Sequence, residues 1–347
     1  MPGIFPSLEP EPKILPLIPV DRALVQGVEQ VALPPNHLEE TCLLHHAGVR
    51  QAVYVGTHII DRLCASPPSS GNHLPTVLLY RHILDIGDSI GTLMRFGSAS
   101  NAAILLRTLF ETVIGLEFLL QNNTFQTDRA NCYWACHRIR QMENFTKYDP
   151  STESGREFHK ILDSDPILSK ANFSRKDHSR ERKILEDILS RVGYKEHWDK
   201  YKHAKKKKQP RDWYALCSTA NNIRELSMLV GMEAQYAILY AQLSTIAHGA
   251  DVITDVLNFT GGTGAFMHQV RGPENKLDTV ANFAATYLLQ SNQKILDTYY
   301  PGKNDLRDMF GQWYLQYRRY YRWAFTPKPS GTEDAITPQL HPKAPTA

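Results

Sequence analysis

Cysteine is scarce in this chain: five in 347 residues (Cys42, Cys64, Cys132, Cys136, Cys217), an odd and widely spaced set. That excludes the disulfide framework on which small secreted domains depend. A long uninterrupted apolar run is missing too, because the best stretch, Ala102 to Leu120, is broken by Arg107, Glu111 and Glu117, which rules it out as a transmembrane helix. Charge of one sign is not in excess. The 39 Lys and Arg against 36 Asp and Glu leave a formal +3, so bulk electrostatics do not argue for a nucleic-acid partner and any basic preference must be local. The opening MPGIFPSLEPEPK lacks the charged region and apolar stretch of a secretory signal. The expectation is a cytoplasmic protein with reduced thiols and no membrane insertion.

Strand-like alternation with hairpin chemistry is also absent, which makes the expected fold class all-α. No repeat of solenoid length appears. GGTG at 261–264 has neither the lysine nor the strand-to-helix setting of a P-loop, and no GxGxxG or GxSxG occurs. The common nucleotide-binding enzymes are thereby excluded, the GGTG stretch reads as a flexible connection, and no cofactor is assigned.

What is present begins with proline at the two ends. Residues 1 to 34 carry Pro2, Pro6, Pro10, Pro12, Pro16, Pro19 and Pro34 with little periodicity, and predict a disordered arm. Residues 326–347 carry Pro327, Pro329, Pro338, Pro342 and Pro345, and predict a disordered tail. Between them, 35–325 reads as one helical domain. Helical spacing runs from His37 to Cys64, from Pro75 to Arg95, from Ser100 to Leu120 and from Thr127 to Lys147. It resumes over Ala220 to Val230, Glu233 to Asn258, Lys276 to Tyr299 and Asp305 to Trp323. Residues 150–212 are more polar, with short helical patterns at 153–163 and 177–192, and read as an insertion. The expected architecture is an irregular bundle of about seven or eight helices.

Two apolar helices carry polar residues that do not belong on such faces. In AAILLRTLFETVIGLEFLL, Glu111 lies 40° from Arg107 on a helical wheel of 100° per residue, among Ala103, Ile104, Ile114 and Phe118. Arginine four residues before glutamate is the weaker order for a surface ion pair, so tertiary partners are expected. In AQYAILYAQLSTIAHGADV, Tyr240, Ser244 and His248 share one side with Asp251 and Asp255, beside Ala237 and Ala241. A cation, a carboxylate and an imidazole are expensive to desolvate alone, so the two faces are expected to meet. Either they form a hydrogen-bonded network that sets helix register, or they line a site. In a site, burial would push His248 toward neutral and a carboxylate toward charged, suiting it to acid or base work.

These residues also carry a resemblance. LLRTLFE at 105–111, Tyr133, the Trp213–Tyr214 pair and IRELSMLVGMEAQYAILYAQLSTIAHG at 223–249 resemble the domain of unknown function 5677 family, over roughly residues 75 to 258. The resemblance implies a helical fold and a shared role for Arg107, Glu111, Tyr240, Ser244 and His248, without supplying a reaction. The layout is also similar to HEPN-type ribonuclease domains of toxin and antiphage systems, in which an arginine and a histidine act on RNA. Those domains place the arginine shortly before the histidine on one stretch, and no arginine precedes His248 in that way.

Other features point less far. Cys132, Cys136 and His137 share a helix but lack a second ligand pair of matching spacing. His248, Asp251 and Asp255, with Glu111 or the His45 and His46 pair, fit no diagnostic metal spacing, so no metal is assigned. KHAKKKKQPR at 202–211 is the strongest local charge; a lysine run in a polar segment reads first as a solvated one, and the alternative is that Lys205 to Lys208 contact RNA or an anionic ligand. Trp213 and Tyr214 are expected to re-enter the core rather than stack on bases. In the last helix, Leu306, Met309, Phe310, Trp313, Tyr317 and Tyr320 follow helical spacing, which predicts core packing or contact with a second copy of the chain. The expected function is ligand binding or a regulatory or structural role for the polar cluster. The alternative is hydrolysis of RNA or another phosphodiester in a defence setting, with His248 as acid or base, Arg107 stabilising negative charge and Glu111 or Tyr240 orienting them.

Overall fold

Proline, asparagine and glycine set the helix boundaries one by one. In the computed structural model, residues 38–65, 73–170, 175–240, 243, 257–260, 264–267, 274–302 and 305–321 are described; the expected arm at 1–34 and tail at 326–347 lie outside them. The first helix, α1, spans Glu39–Ala65. Helix α2 (Leu74–Arg95) starts with Pro75 in its first turn, where the missing N–H costs nothing. Its end reverses the chain at once: Gly97 (φ 68) donates to the Met94 carbonyl at 3.0 Å, and Ser98 to Leu93 at 2.9 Å. This left-handed cap satisfies two orphan carbonyls and lets α3 (Ala99–Leu119) begin two residues later as an antiparallel neighbour. Helix α4 (Asn123–Tyr148) follows, with the Asn122 side chain accepting from Thr124 N at 2.8 Å.

Helix α11 (Glu274–Tyr299) returns to pack against α1, α2 and α3. The four form a bundle whose interior is aliphatic and aromatic, including Ile59, Ile83, Ile90, Leu106, Leu109, Phe110, Ile114, Tyr287 and Leu288. One polar link crosses it. Tyr80 Oη donates to Asn292 Oδ1 at 2.7 Å and Asn292 Nδ2 to the Ala52 carbonyl at 3.1 Å, so α2, α11 and α1 are held in register by bonds that water does not reach. Helix α12 (Asp305–Tyr320) lies against α1 with Leu306, Phe310 and Tyr317 buried; Tyr317 Oη donates to the Gly48 carbonyl at 2.9 Å. Core packing therefore accounts for these aromatics, although Met309 is exposed.

The polar insertion is built on α4. Helices α5 (Glu153–Ser164), α6 (Ser179–Leu189) and α7 (Lys195–Lys206) all contact it, around a second small core of Cys132, Ala135, Cys136, Ile139, Leu189, Tyr201, Ala204 and Leu216. Its anchor is Asp149, whose side chain is fully buried. The carboxylate accepts from Ser151 N at 2.8 Å, His178 N at 3.2 Å and Arg182 Nη2 at 2.8 Å. The bonds from Ser151 are the main reason its pKa is pulled down to about 2; His178 N and Arg182 add to it against the effect of burial.

Three short helices complete the described set: α8 (Trp213–Leu216), α9 (Ile223–Leu229) and α10 (Glu233–Gln235), the last running into a π-helical turn at Tyr236–Tyr240. Twelve α-helices are thus present among the described residues, not seven or eight. The insertion adds α7 to the two patterns visible in its sequence, and the stretch from Trp213 breaks into pieces. A single helix from Glu233 to Asn258 does not form either: β1 (Leu257–Thr260) pairs antiparallel with β2 (Gly264–Met267). Gly264, the last residue of GGTG, opens β2; Gly261, Gly262 and Thr263 lie outside the described residues. The backbone bonds that join two antiparallel strands need no apolar alternation, so a pair this short leaves no period-two signal in the sequence.

The cap that ends α2 recurs twice. At the end of α9, Gly231 (φ 75) donates to Met228 at 3.2 Å and Met232 to Ser227 at 2.8 Å. At the end of α7, Lys208 (φ 54) donates to Lys205 at 3.3 Å and Gln209 to Ala204 at 2.9 Å. The left-handed position suits glycine, and a side chain there is disfavoured by about 1 kcal/mol. Lys208 is the one residue other than glycine with positive φ among the described residues.

Candidate functional site

Arg107 and Glu111 sit on successive turns of α3, on an edge of the bundle that the π-helical turn partly covers. Arg107 Nε donates to Glu111 Oε1 at 3.1 Å, and Arg107 Nη2 donates to Tyr240 Oη at 2.7 Å. The guanidinium carbon also stands 4.6 Å from the centroid of the Tyr240 ring, so one cation meets a carboxylate, a phenol oxygen and an aromatic face. The tertiary partner expected for this pair is therefore Tyr240. The i, i+4 bond to Glu111 forms as well, despite its weaker order.

The aromatic surroundings hold Tyr240 in place. Tyr236 stacks on it at 4.6 Å with planes 19° apart, and Phe110 from α3 lies 6.4 Å away, itself 5.4 Å from Tyr287 of α11. Such offset contacts add to area burial. The extra residue of a π turn rotates the chain after Gln235, a distortion common at functional sites.

Electrostatics lock the protonation states. Burial works against the Arg107 charge, but the bonds to Glu111 and Tyr240 outweigh it and raise its pKa. Burial, reinforced by Glu111 and opposed by Arg107, lifts the Tyr240 phenol above its usual range. Tyr214 is raised too, by burial first, then by Asp212 and more weakly by Glu111 and Tyr240. Neither phenol is a base near neutral pH; both are hydroxyls for orienting something else. With side-chain exposures of 20% for Arg107 and 34% for Glu111, the cluster is neither a sealed network nor a solvated pair. A partly desolvated guanidinium at a rim can be approached by an anion.

Of the five residues expected to act together, Arg107, Glu111 and Tyr240 converge. Ser244 and His248, with Asp251 and Asp255, lie outside the described residues. Ile104 proves exposed although it shares the wheel face. Phe110, Tyr214 and Tyr236 were not singled out as site residues; Tyr236 carries a legible signal, standing one turn before Tyr240.

The remaining candidates are placed elsewhere. His45 Nε2 is 2.6 Å from Asp278 Oδ1, and His46 Nδ1 meets the Gly91 carbonyl at 2.8 Å. Cys132 donates to the Trp213 carbonyl, as does Cys217, while His137 stacks on Trp134. The Cys132 thiol is pushed far up, first by bonds with Cys136 and Cys217 and then by burial, and is held as an inert thiol. Among the described residues no group of three His, Cys, Asp or Glu has the geometry to hold a metal ion, and no helix is long and apolar enough to cross a membrane. Trp213 packs on Phe118 and Tyr133 in the core.

Residues 73–263 match a family of unknown function, DUF5677. No curated protein and no solved structure matches the chain.

Proposed function

The chain belongs to the family of unknown function DUF5677, and on that premise we propose that Arg107, Glu111 and Tyr240 form a ligand-responsive clamp rather than a catalytic centre. The observation that carries this is the 2.7 Å bond from Arg107 Nη2 to Tyr240 Oη, made by a guanidinium that still has side-chain exposure at the rim. It ties α3 to the end of the π-helical turn, 133 residues away in the chain. A small carboxylate or phosphate that takes the guanidinium competes with that tie. Binding and the position of the segment beyond Tyr240 are then linked, as a regulatory site requires. Glu111 restrains the affinity, because any incoming anion must displace or share its charge.

A thermal shift with inorganic phosphate and with citrate tests this. The melting temperature is expected to rise with anion concentration in the wild type, as mass action demands, and the rise is expected to vanish in Arg107→Met. An equal rise in the variant, or none in the wild type, overturns the clamp. The position of Tyr240 also favours a second reading, since Ser244 and His248 follow it by four and eight residues. There His248 acts as acid or base on a phosphodiester held by Arg107. Cleavage of RNA by the wild type, abolished in His248→Ala at unchanged melting temperature, would select that reading over the first.

A further inference from the structure

A second site is built into the insertion, where the polybasic stretch meets an aromatic groove. The groove is a cavity of about 620 Å³ between α4, α5 and α7. Half-buried Trp198 and Phe158 line it with Tyr201. Each ring carries a cation: Lys202 Nζ lies 4.3 Å from the Trp198 centroid, Lys147 Nζ 4.7 Å from Phe158, and Arg211 Cζ 5.5 Å from Tyr201. Glu143 stands among them, accepting from Lys205 Nζ at 2.6 Å and Tyr201 Oη at 2.9 Å.

Residues 200–211 hold seven Lys and Arg and no acid. Lys200 pairs with Glu196, Lys202 with Asp199, and Lys205 and Arg211 share Glu143. Lys206, Lys207 and Lys208 are exposed and form no ion pair among the described residues. They crowd three like charges at one tip. Part of this is ordinary, since cations favour a helix C-terminus. Lys208 is not: it occupies the left-handed cap position that α2 and α9 both fill with glycine. A lysine at a position where the backbone favours glycine points to a use for its side chain.

We propose that this groove and the Lys206–Lys208 tip bind single-stranded RNA. Aromatic faces flanked by cations are the chemistry that unpaired bases and their phosphates require, and a duplex would hide the bases from those rings. Glu143 narrows the choice further. A phosphodiester brings no donor to a carboxylate; base amino groups, which DNA shares, and the ribose 2′-hydroxyl do, and the 2′-hydroxyl is the donor that RNA alone adds. The site does not rest on the Arg107 clamp, although the chain connects them: Arg211 bonds Tyr201 in the groove, and Tyr214 senses Glu111 and Tyr240.

Fluorescence anisotropy with a labelled single-stranded RNA of about twelve nucleotides, titrated with full-length protein at low and moderate salt, tests the proposal. Binding by the wild type is expected, with the triple variant K206Q/K207Q/K208Q weaker by at least tenfold and its log–log salt dependence shallower by about two. Lys208→Gly alone is expected to weaken binding about twofold while raising the melting temperature by about 2 °C, a split that a purely structural lysine would not give. No binding by the wild type, equal binding by the triple variant, or equal affinity for a duplex of the same length overturns it. So does tighter binding to phosphatidylserine vesicles than to RNA, or to DNA of the same sequence.

Discussion

The four-helix bundle and the insertion carried on α4 are held by different forces. In the bundle, α11 closes against α1, α2 and α3 with an almost wholly apolar interior, and one buried chain of hydrogen bonds through Tyr80 and Asn292 sets the register. The insertion has a core of only eight buried side chains, from Cys132 on α4 to Leu216 on α8. It is fastened by charge: Asp149 to Arg182 at 2.8 Å, Arg175 to Asp163 at 2.5 Å, Lys205 to Glu143 at 2.6 Å. Apolar burial is spread over many residues and indifferent to pH, whereas a few polar bonds concentrate stability in single groups that can be removed one at a time. The bundle is therefore expected to fail as a whole and the insertion to open by itself.

The largest test removes apolar area. Phe110 is fully buried between α3 and α11, and Phe110→Ala is expected to lower stability by about 4 kcal/mol, read in urea as an earlier single transition of α1, α2, α3 and α11. Loss of those four helices in separate steps would break the comparison from the bundle side. Next, Asp149→Asn keeps the shape but weakens the charge-assisted bonds, at about 2 kcal/mol. Hydrogen exchange should speed up across α5 and α6 and stay unchanged in α2; uniform acceleration would mean the two regions are one cooperative unit.

The smallest and most selective test is acid. The Asp149 carboxyl titrates at about 2 in the folded protein against an ordinary 3.8. A depressed carboxyl contributes stability that is full above its unfolded pKa and is lost as pH falls through the folded one. Exchange in α5 and α6 should accelerate between about pH 3.8 and pH 2, before Asp149→Asn shows any further change in the same range. If wild type and variant titrate alike, Asp149 is not the anchor.

Most helix boundaries were legible because they depend on neighbours in the chain. Pro75 starts α2 and Gly97 ends it, and the patterns at 153–163 and 177–192 became α5 and α6. Helix α7 was not legible: its buried face is His197, Tyr201 and Ala204, spaced as a helix requires but not apolar enough to register against five lysines. In the sequence, Asp149 stands directly before Pro150 just past the end of a helical stretch, and nothing nearby marks it out further. Its role depends on His178 and Arg182, 29 and 33 residues on, and no local pattern reports that. The odd placement of Arg107 and Glu111 was visible as polarity on an apolar face, and so was the need for a partner.

The sequence by itself settled the helical class, the ends of the long helices and the residues too polar for their faces, since propensity, capping and periodicity act within a few turns of chain. Tertiary structure alone decided that Arg107 meets Tyr240 across 133 residues, that Asp149 is sealed under the insertion and that Trp198 and Phe158 share one groove with the lysines. Those outcomes are set by which surfaces the folded bundle brings within hydrogen-bond range, a property of three-dimensional packing that spacing along the chain does not encode.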